Sequence, residues 1–273
     1  MDRIHSAIAK ARATRDGTID SPAPRSGRAN LPQPAQAGED WSALTELQLS
    51  PHVLDENRIV AHRPGATAAG FDVMRTTLLR QLRDHSWSRV AVTSPNAGCG
   101  KTTVALNLAF SLARLTDIKV LVLELDLRHP TMLRAMGLDR YQNFAGVLSG
   151  TETVQSQMTR WGANLAFGLN SFQVPSPAEL LSSDRAADVV DAIEAQYRPD
   201  VILLDMPPML VSDDTLAFLD QVDCALMVAA AEETPVNQID QCGKDLAAQT
   251  PVLGVVLNKC RLMDRQENYG YDA

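Results

Sequence analysis

Short continuous apolar runs alternate, between residues 89 and 258, with longer stretches whose apolar positions recur every three or four residues. The runs Arg89–Thr93, Lys119–Glu124, Leu165–Gly168, Val201–Asp205, Ala225–Ala229 and Val252–Leu257 are of strand length. Runs with no polar alternation predict strands buried on both faces, as in a parallel sheet. Helical spacing follows over 104–115 and around 186–196, and a further helix is expected over 71–82, leading into the core. This order predicts an α/β fold of three layers, a mostly parallel central sheet between helices, with functional residues at the carboxyl ends of strands.

Upstream the pattern weakens. Residues 2–15 place Ile4, Ile8 and Ala11 on one helical face among basic residues, which predicts a short amphipathic helix at 1–15. The stretch from Asp16 is rich in Pro, Ala, Gly and Ser, so a disordered linker is expected over 16–50. The core domain is then expected over 51–263, although Pro51 and Pro64 break any long element in its first turns, and 264–273 form a flexible tail.

Composition narrows the class. A length of 273 residues with 45% hydrophobic content suits one core domain with appendages. The net charge of −8 argues against a nucleic-acid partner, which needs a basic footprint. Charge is uneven, however: residues 1–30 hold six Lys/Arg against three Asp/Glu. That segment can dock on an acidic protein surface or an anionic membrane. The four cysteines lie far apart with no C-x-x-C pair, so they read as reduced thiols of a cytoplasmic protein. No stretch is apolar enough to span a membrane, and no signal peptide is expected.

The chemistry enters at Ser94-Pro-Asn-Ala-Gly-Cys-Gly-Lys-Thr-Thr103, between a strand and a helix. Gly98 and Gly100 let the backbone curl with its N–H groups inward, and the helix that follows adds its positive end. A phosphate-binding loop is therefore predicted over Gly98, Cys99, Gly100, Lys101, Thr102 and Thr103. In it Lys101 reaches the β- and γ-phosphates of ATP and the Thr102 hydroxyl holds Mg²⁺. Cys99 fits either as a small packed residue or as a thiol whose pKa the helix end lowers. Pro95 replaces the usual first glycine, and Asn96 stands where partition and cell-division ATPases carry a second lysine.

Two strands run into carboxylates. Val120-Leu-Val-Leu-Glu124 continues into Leu-Asp126-Leu-Arg128-His-Pro130, and Val201-Ile-Leu-Leu-Asp205 into Met-Pro-Pro208. Such acids share a sheet edge with the phosphate loop, where Mg²⁺ needs oxygen ligands directly or through water.

With these motifs, residues 60–263 resemble the kinase domain of the bacterial tyrosine kinases that govern capsular and exopolysaccharide synthesis. Pro175-Ser-Pro-Ala-Glu-Leu-Leu181, Val211-Ser-Asp213 and Gly254-Val-Val-Leu-Asn258 match in the same order. The resemblance implies ATP and Mg²⁺ as cofactors and Lys101, Glu124, Asp126 and Asp205 as catalytic residues. Thr102, Asp126 and Asp205 hold the metal, the first acid of the second motif, here Glu124, helps activate a tyrosine hydroxyl, and Asn258 lies near the adenine.

It also implies phosphorylation of C-terminal tyrosines on a neighbouring subunit. Two of the four tyrosines, Tyr269 and Tyr271, fall in the last five residues. The implied partner is a membrane-bound chain-length-determinant or co-polymerase protein that recruits the chain to the inner face of the plasma membrane; a homo-oligomer is the other. The family has aspartate at Glu124, and its oligomer-forming Glu, Arg, Arg positions read Ala69, Asp72 and Arg75. Two other readings stand beside the kinase: a partition-type ATPase switch, and a regulator that binds ATP without phosphorylating.

Overall fold

The computed structural model describes residues 41–260. The expected amphipathic helix at 1–15, the linker as far as residue 40 and the tail tyrosines Tyr269 and Tyr271 lie outside the described residues. Eight strands form one sheet in the order β1-β4-β5-β3-β6-β2-β7-β8. They are β1 (Thr45–Glu46), β2 (Arg89–Thr93), β3 (Val120–Glu124), β4 (Met158–Trp161), β5 (Leu165–Gly168), β6 (Val201–Asp205), β7 (Cys224–Ala230) and β8 (Val252–Asn258). All neighbouring pairs are parallel except β4 with β5. The helices are α1 (Pro51–Glu56), α2 (Ala69–His85), α3 (Lys101–Ala113), α4 (Met132–Ala135), α5 (Phe144–Ser149), α6 (Val154–Gln157), α7 (Pro177–Leu181), α8 (Asp184–Tyr197) and α9 (Val236–Ala247).

The apolar runs form the central strands because both faces of the sheet are covered. Alternate residues divide between two cores. Val90, Val92, Val120, Val122 and Leu203 pack with Leu106 and Phe110 of α3, while Ala91, Leu121, Leu123, Ile202 and Leu204 pack with Val190 and Ile193 of α8. Eleven of the thirteen residues of α3 are buried, since α2 covers its outer side. Within α3, Asn107 accepts from the amides of Val60 and Ala61 at 2.8 and 3.0 Å and so ties the preceding segment to the core.

The sequence-based domain limits need one correction. Residues 41–50 were expected to end the linker, yet Trp41, Leu44 and Leu47 are each only 3% exposed, and β1 pairs with β4. Trp41 Nε1 donates to the Tyr197 carbonyl at 2.9 Å. A tryptophan and two leucines among polar residues bury enough surface to add an edge strand, which composition averaged over 16–50 conceals. In α2, Asp72 and Arg75 turn toward α3. Asp72 accepts from Ser111 Oγ at 2.6 Å and from Arg114 at 2.7 Å, and Arg75 donates to the Ser111 carbonyl at 2.9 Å.

Candidate active site at the carboxyl edge of the sheet

The parallel register sets the site. β2 lies between β6 and β7, and Glu124 of β3 stands directly beside Asp205 of β6, so the strand ends deliver their side chains to one edge. The loop leaving β2 turns through Gly98 (φ 81°) and Gly100 (φ 88°), both in the left-handed region that favours glycine. At Gly100 space is a second constraint, because a Cβ there would lie 2.2 Å from Asn258 Nδ2. The loop ends at the first residue of α3, whose free amides and positive dipole end face the edge.

Lys101 is buried among carboxylates. Its Nζ donates to Asp126 Oδ2 at 2.7 Å and stands 3.6 Å from Asp205 Oδ1. Burial opposes its charge, but the Asp205 and Asp126 carboxylates outweigh that penalty and hold the amine above the usual lysine range. Thr102 Oγ1 donates to Asp205 Oδ2 at 2.7 Å. Asp205 is pushed above the usual carboxylate range, chiefly by its desolvation and against the pull of Lys101 and Thr102.

Asp205 Oδ1 is buried and accepts no hydrogen bond. An orphaned carboxylate oxygen beside a threonine hydroxyl is a fit for Mg²⁺, which takes one or two carboxylates and keeps its remaining positions for water and phosphate. Among the described residues no group of three or more His, Cys, Asp or Glu offers a closed metal cage.

Two of the expected residues make hydrogen bonds within the protein. Glu124 is fully buried and does not line the cavity. Its Oε1 accepts from the amides of Thr131 and Met132 at 2.7 and 2.8 Å, and its Oε2 from the Asn170 amide at 2.9 Å. Burial raises its pKa to about 7 although the amides of Met132, Asn170 and Thr131 favour the charged form. Both of its oxygens are thus bonded to backbone amides. Asn258 Nδ2 donates to the Cys99 carbonyl at 2.9 Å, bracing the phosphate loop from β8. Cys99 itself is 3% exposed, with Sγ 3.5 Å from Thr234 Oγ1, which favours the packing reading of that thiol.

A cavity of about 360 Å³ opens at this edge, lined by Gly98, Gly100, Lys101, Thr102 and Asp126 on the phosphate side. Sequence reasoning singled out Arg128 as part of a motif but missed what it does. Its Nε and Nη2 meet Asp214 Oδ2 and Oδ1 at 2.6 and 2.9 Å, and Ser212 Oγ adds a bond to the same carboxylate at 2.9 Å. The fork locks the loop after β3 to the loop after β6. A completely buried aspartate needs such a partner, so an acid next to the matched Val211-Ser-Asp213 was a usable signal. His129, which lies in the same motif as Arg128, and Arg134, which carried no signal in sequence, are also on the cavity wall.

A mostly parallel sheet with a glycine-bounded lysine loop and two strand-end acids defines a P-loop nucleotide-binding protein. Residues 90–269 match the family described as the CobQ/CobB/MinD/ParA nucleotide binding domain. The tyrosine-protein kinase CpsD of Streptococcus pneumoniae serotype 4 is 30% identical over 182 residues, 66% of this chain and 79% of that one. EpsB of Ralstonia nicotianae is 30% identical over 202 residues, which are 73% of this chain but 26% of that protein, so the chain spans about a quarter of this relative. The kinase domain of the Escherichia coli tyrosine kinase ETK shares the fold, with a TM-score of 0.66 and 23% identity over 76% of this chain and 81% of that one. The chain belongs to this nucleotide-binding family, in its branch of bacterial tyrosine-protein kinases.

Proposed function

We propose that the chain is an ATP-dependent protein-tyrosine kinase that phosphorylates Tyr269 and Tyr271 on a second copy of itself and regulates the assembly and export of an exopolysaccharide. The observation that carries this reading is the union of Lys101, Thr102, Asp126 and Asp205 at one sheet edge beside an open cavity. The loop amides and Lys101 bind and orient the triphosphate of ATP. Thr102 and Asp205, with Asp126, hold Mg²⁺, which spreads the charge of the transferring phosphoryl group when bound.

Asp126 is the carboxylate that lines the cavity, so we assign to it the orientation of the tyrosine hydroxyl, whose ordinary pKa is about 10. The tyrosine oxygen forms a bond to the γ-phosphorus as the bond to ADP breaks, and the hydroxyl proton leaves through this carboxylate. Glu124 acts indirectly: by gripping the amides of residues 131 and 132 it fixes the segment that carries Asp126 and Arg128. Among the described residues no helix is long and apolar enough to cross a membrane. A membrane-bound co-polymerase, the partner that the family resemblance implies, is the proposed activator and recruits the chain to the inner membrane face.

The competing reading, an ATP-binding regulator without transfer, has one observation in its favour, the withdrawal of Glu124 from the cavity. Incubation with Mg·ATP, alone and with the cytoplasmic segment of the membrane partner, followed by mass spectrometry, separates the two. Label on Tyr269 or Tyr271 that is lost in Lys101→Met supports the kinase. Bound or hydrolysed ATP with unmodified tyrosines in both conditions refutes it.

A further inference from the structure

The chain has 33 acidic and 25 basic residues, yet the cavity wall reverses this balance. Lys101, Arg128, His129 and Arg134 line it against the single carboxylate of Asp126. Two of these side chains are already matched, Lys101 by Asp126 and Asp205 and Arg128 by Asp214. Arg134 is not: it is exposed, and among the described residues it forms no ion pair. His129 is exposed beside it on the segment that Glu124 anchors.

The loop after β6 adds apolar residues to the lining. Pro208 and Val211 line the cavity from the loop after β6, and Val211 is 56% exposed, an unusual position for a valine next to a polar site. Apolar residues and an unmatched cation lining one cavity suit an aromatic ring whose neighbours are negatively charged.

We infer that Arg134 and His129 form an acceptor subsite that selects tyrosines flanked by acidic residues, with Pro208 and Val211 as the ledge for the ring. This rests on the kinase reading of the same cavity. The chain supplies such a sequence at its own end, Asp264-Arg-Gln-Glu-Asn-Tyr-Gly-Tyr-Asp-Ala273, where Glu267 lies two residues before Tyr269 and Asp272 directly follows Tyr271. Arg134 comes from the segment after β3, outside the phosphate loop.

Binding and transfer can be measured separately. Fluorophore-labelled peptides of residues 264–273, one native and one carrying Glu267→Gln with Asp272→Asn, are titrated with the full chain in Mg²⁺ and a non-hydrolysable ATP analogue, and anisotropy is recorded. One exposed charge pair with Arg134 predicts roughly two- to fivefold tighter binding of the native peptide at low salt. Arg134→Glu removes that preference while leaving the affinity for the ATP analogue unchanged, and a peptide with Glu267→Lys and Asp272→Lys restores binding to this variant. Equal affinity for the two peptides, no binding of either, or a loss of nucleotide affinity in Arg134→Glu overturns the subsite. Selective peptide binding without transfer from Mg·ATP would instead refute the kinase reading and leave the subsite standing.

Discussion

At the amino end of β2, Arg89 is fully buried, its guanidinium shared between Glu194 at 2.6 and 3.0 Å, Asp191, and the Gln221 carbonyl at 3.3 Å. Asp223 completes the cluster by accepting from the amides of Ser88 and Arg89 at 2.8 and 2.9 Å. Beyond the carboxyl end of the same strand, Lys101 meets Asp126 and Asp205, also out of water, but Asp205 Oδ1 is left without a hydrogen bond and a cavity opens beside it. Burial disfavours both cations, and neighbouring carboxylates hold both above their ordinary pKa. The difference lies in completion. A saturated cluster can only hold the fold together, whereas one with an orphan oxygen and open space can receive a ligand.

The comparison breaks most sharply at the two cations. Lys101→Met should cut phosphoryl transfer about a thousandfold while the chain still folds. Radiolabel transfer and calorimetry on the same sample check both halves. Arg89→Met should do the reverse. It removes the cation from the mostly buried Glu194, which keeps its bond from Ser88 Oγ, and costs about 3 kcal/mol, a fall of roughly 10 °C in melting temperature, with nucleotide affinity of the folded fraction unchanged.

Glu124 sharpens the contrast through pH. Its folded pKa is raised from the ordinary 4.5 to about 7, so between these values the native state binds more protons than the unfolded chain. Its contribution is fully present below about pH 4.5 and is lost as pH rises to about 7, a decline of about 3 kcal/mol. Chemical denaturation across that window should show the slope in the native chain and its absence in Glu124→Gln. The smallest effect is expected at the rim. Arg128→Lys replaces a fork by a single donor, and should cost about 1 kcal/mol of stability by urea titration.

Much of this arrangement was legible in sequence because it depends on local rules. Gly98, Gly100, Lys101 and Thr102 form a loop whose backbone needs dictate its residues, and the continuous apolar runs marked every central strand. What escaped depends on tertiary pairing. β4 reads Met-Thr-Arg-Trp, and its Arg160 meets Glu46 of β1 at 3.1 Å, a pairing invisible until distant segments meet. Glu124 was identified as a strand-end acid, but its role turns on where amides 131, 132 and 170 fall, and no periodicity encodes that. Arg89, read only as the start of a strand, gains its meaning from α8 a hundred residues later.

The central claim is that the incomplete cluster at Lys101 transfers phosphate to the tail of another copy. A chain carrying Lys101→Met with intact tyrosines, mixed with an intact cluster bearing Tyr269→Phe and Tyr271→Phe, isolates that event in Mg·ATP. The account predicts that mass spectrometry finds phosphate on Tyr269 or Tyr271 of the Lys101→Met chain in the mixture, and on neither chain incubated alone. Unmodified tyrosines in the mixture, under conditions where the native chain labels itself, would contradict it.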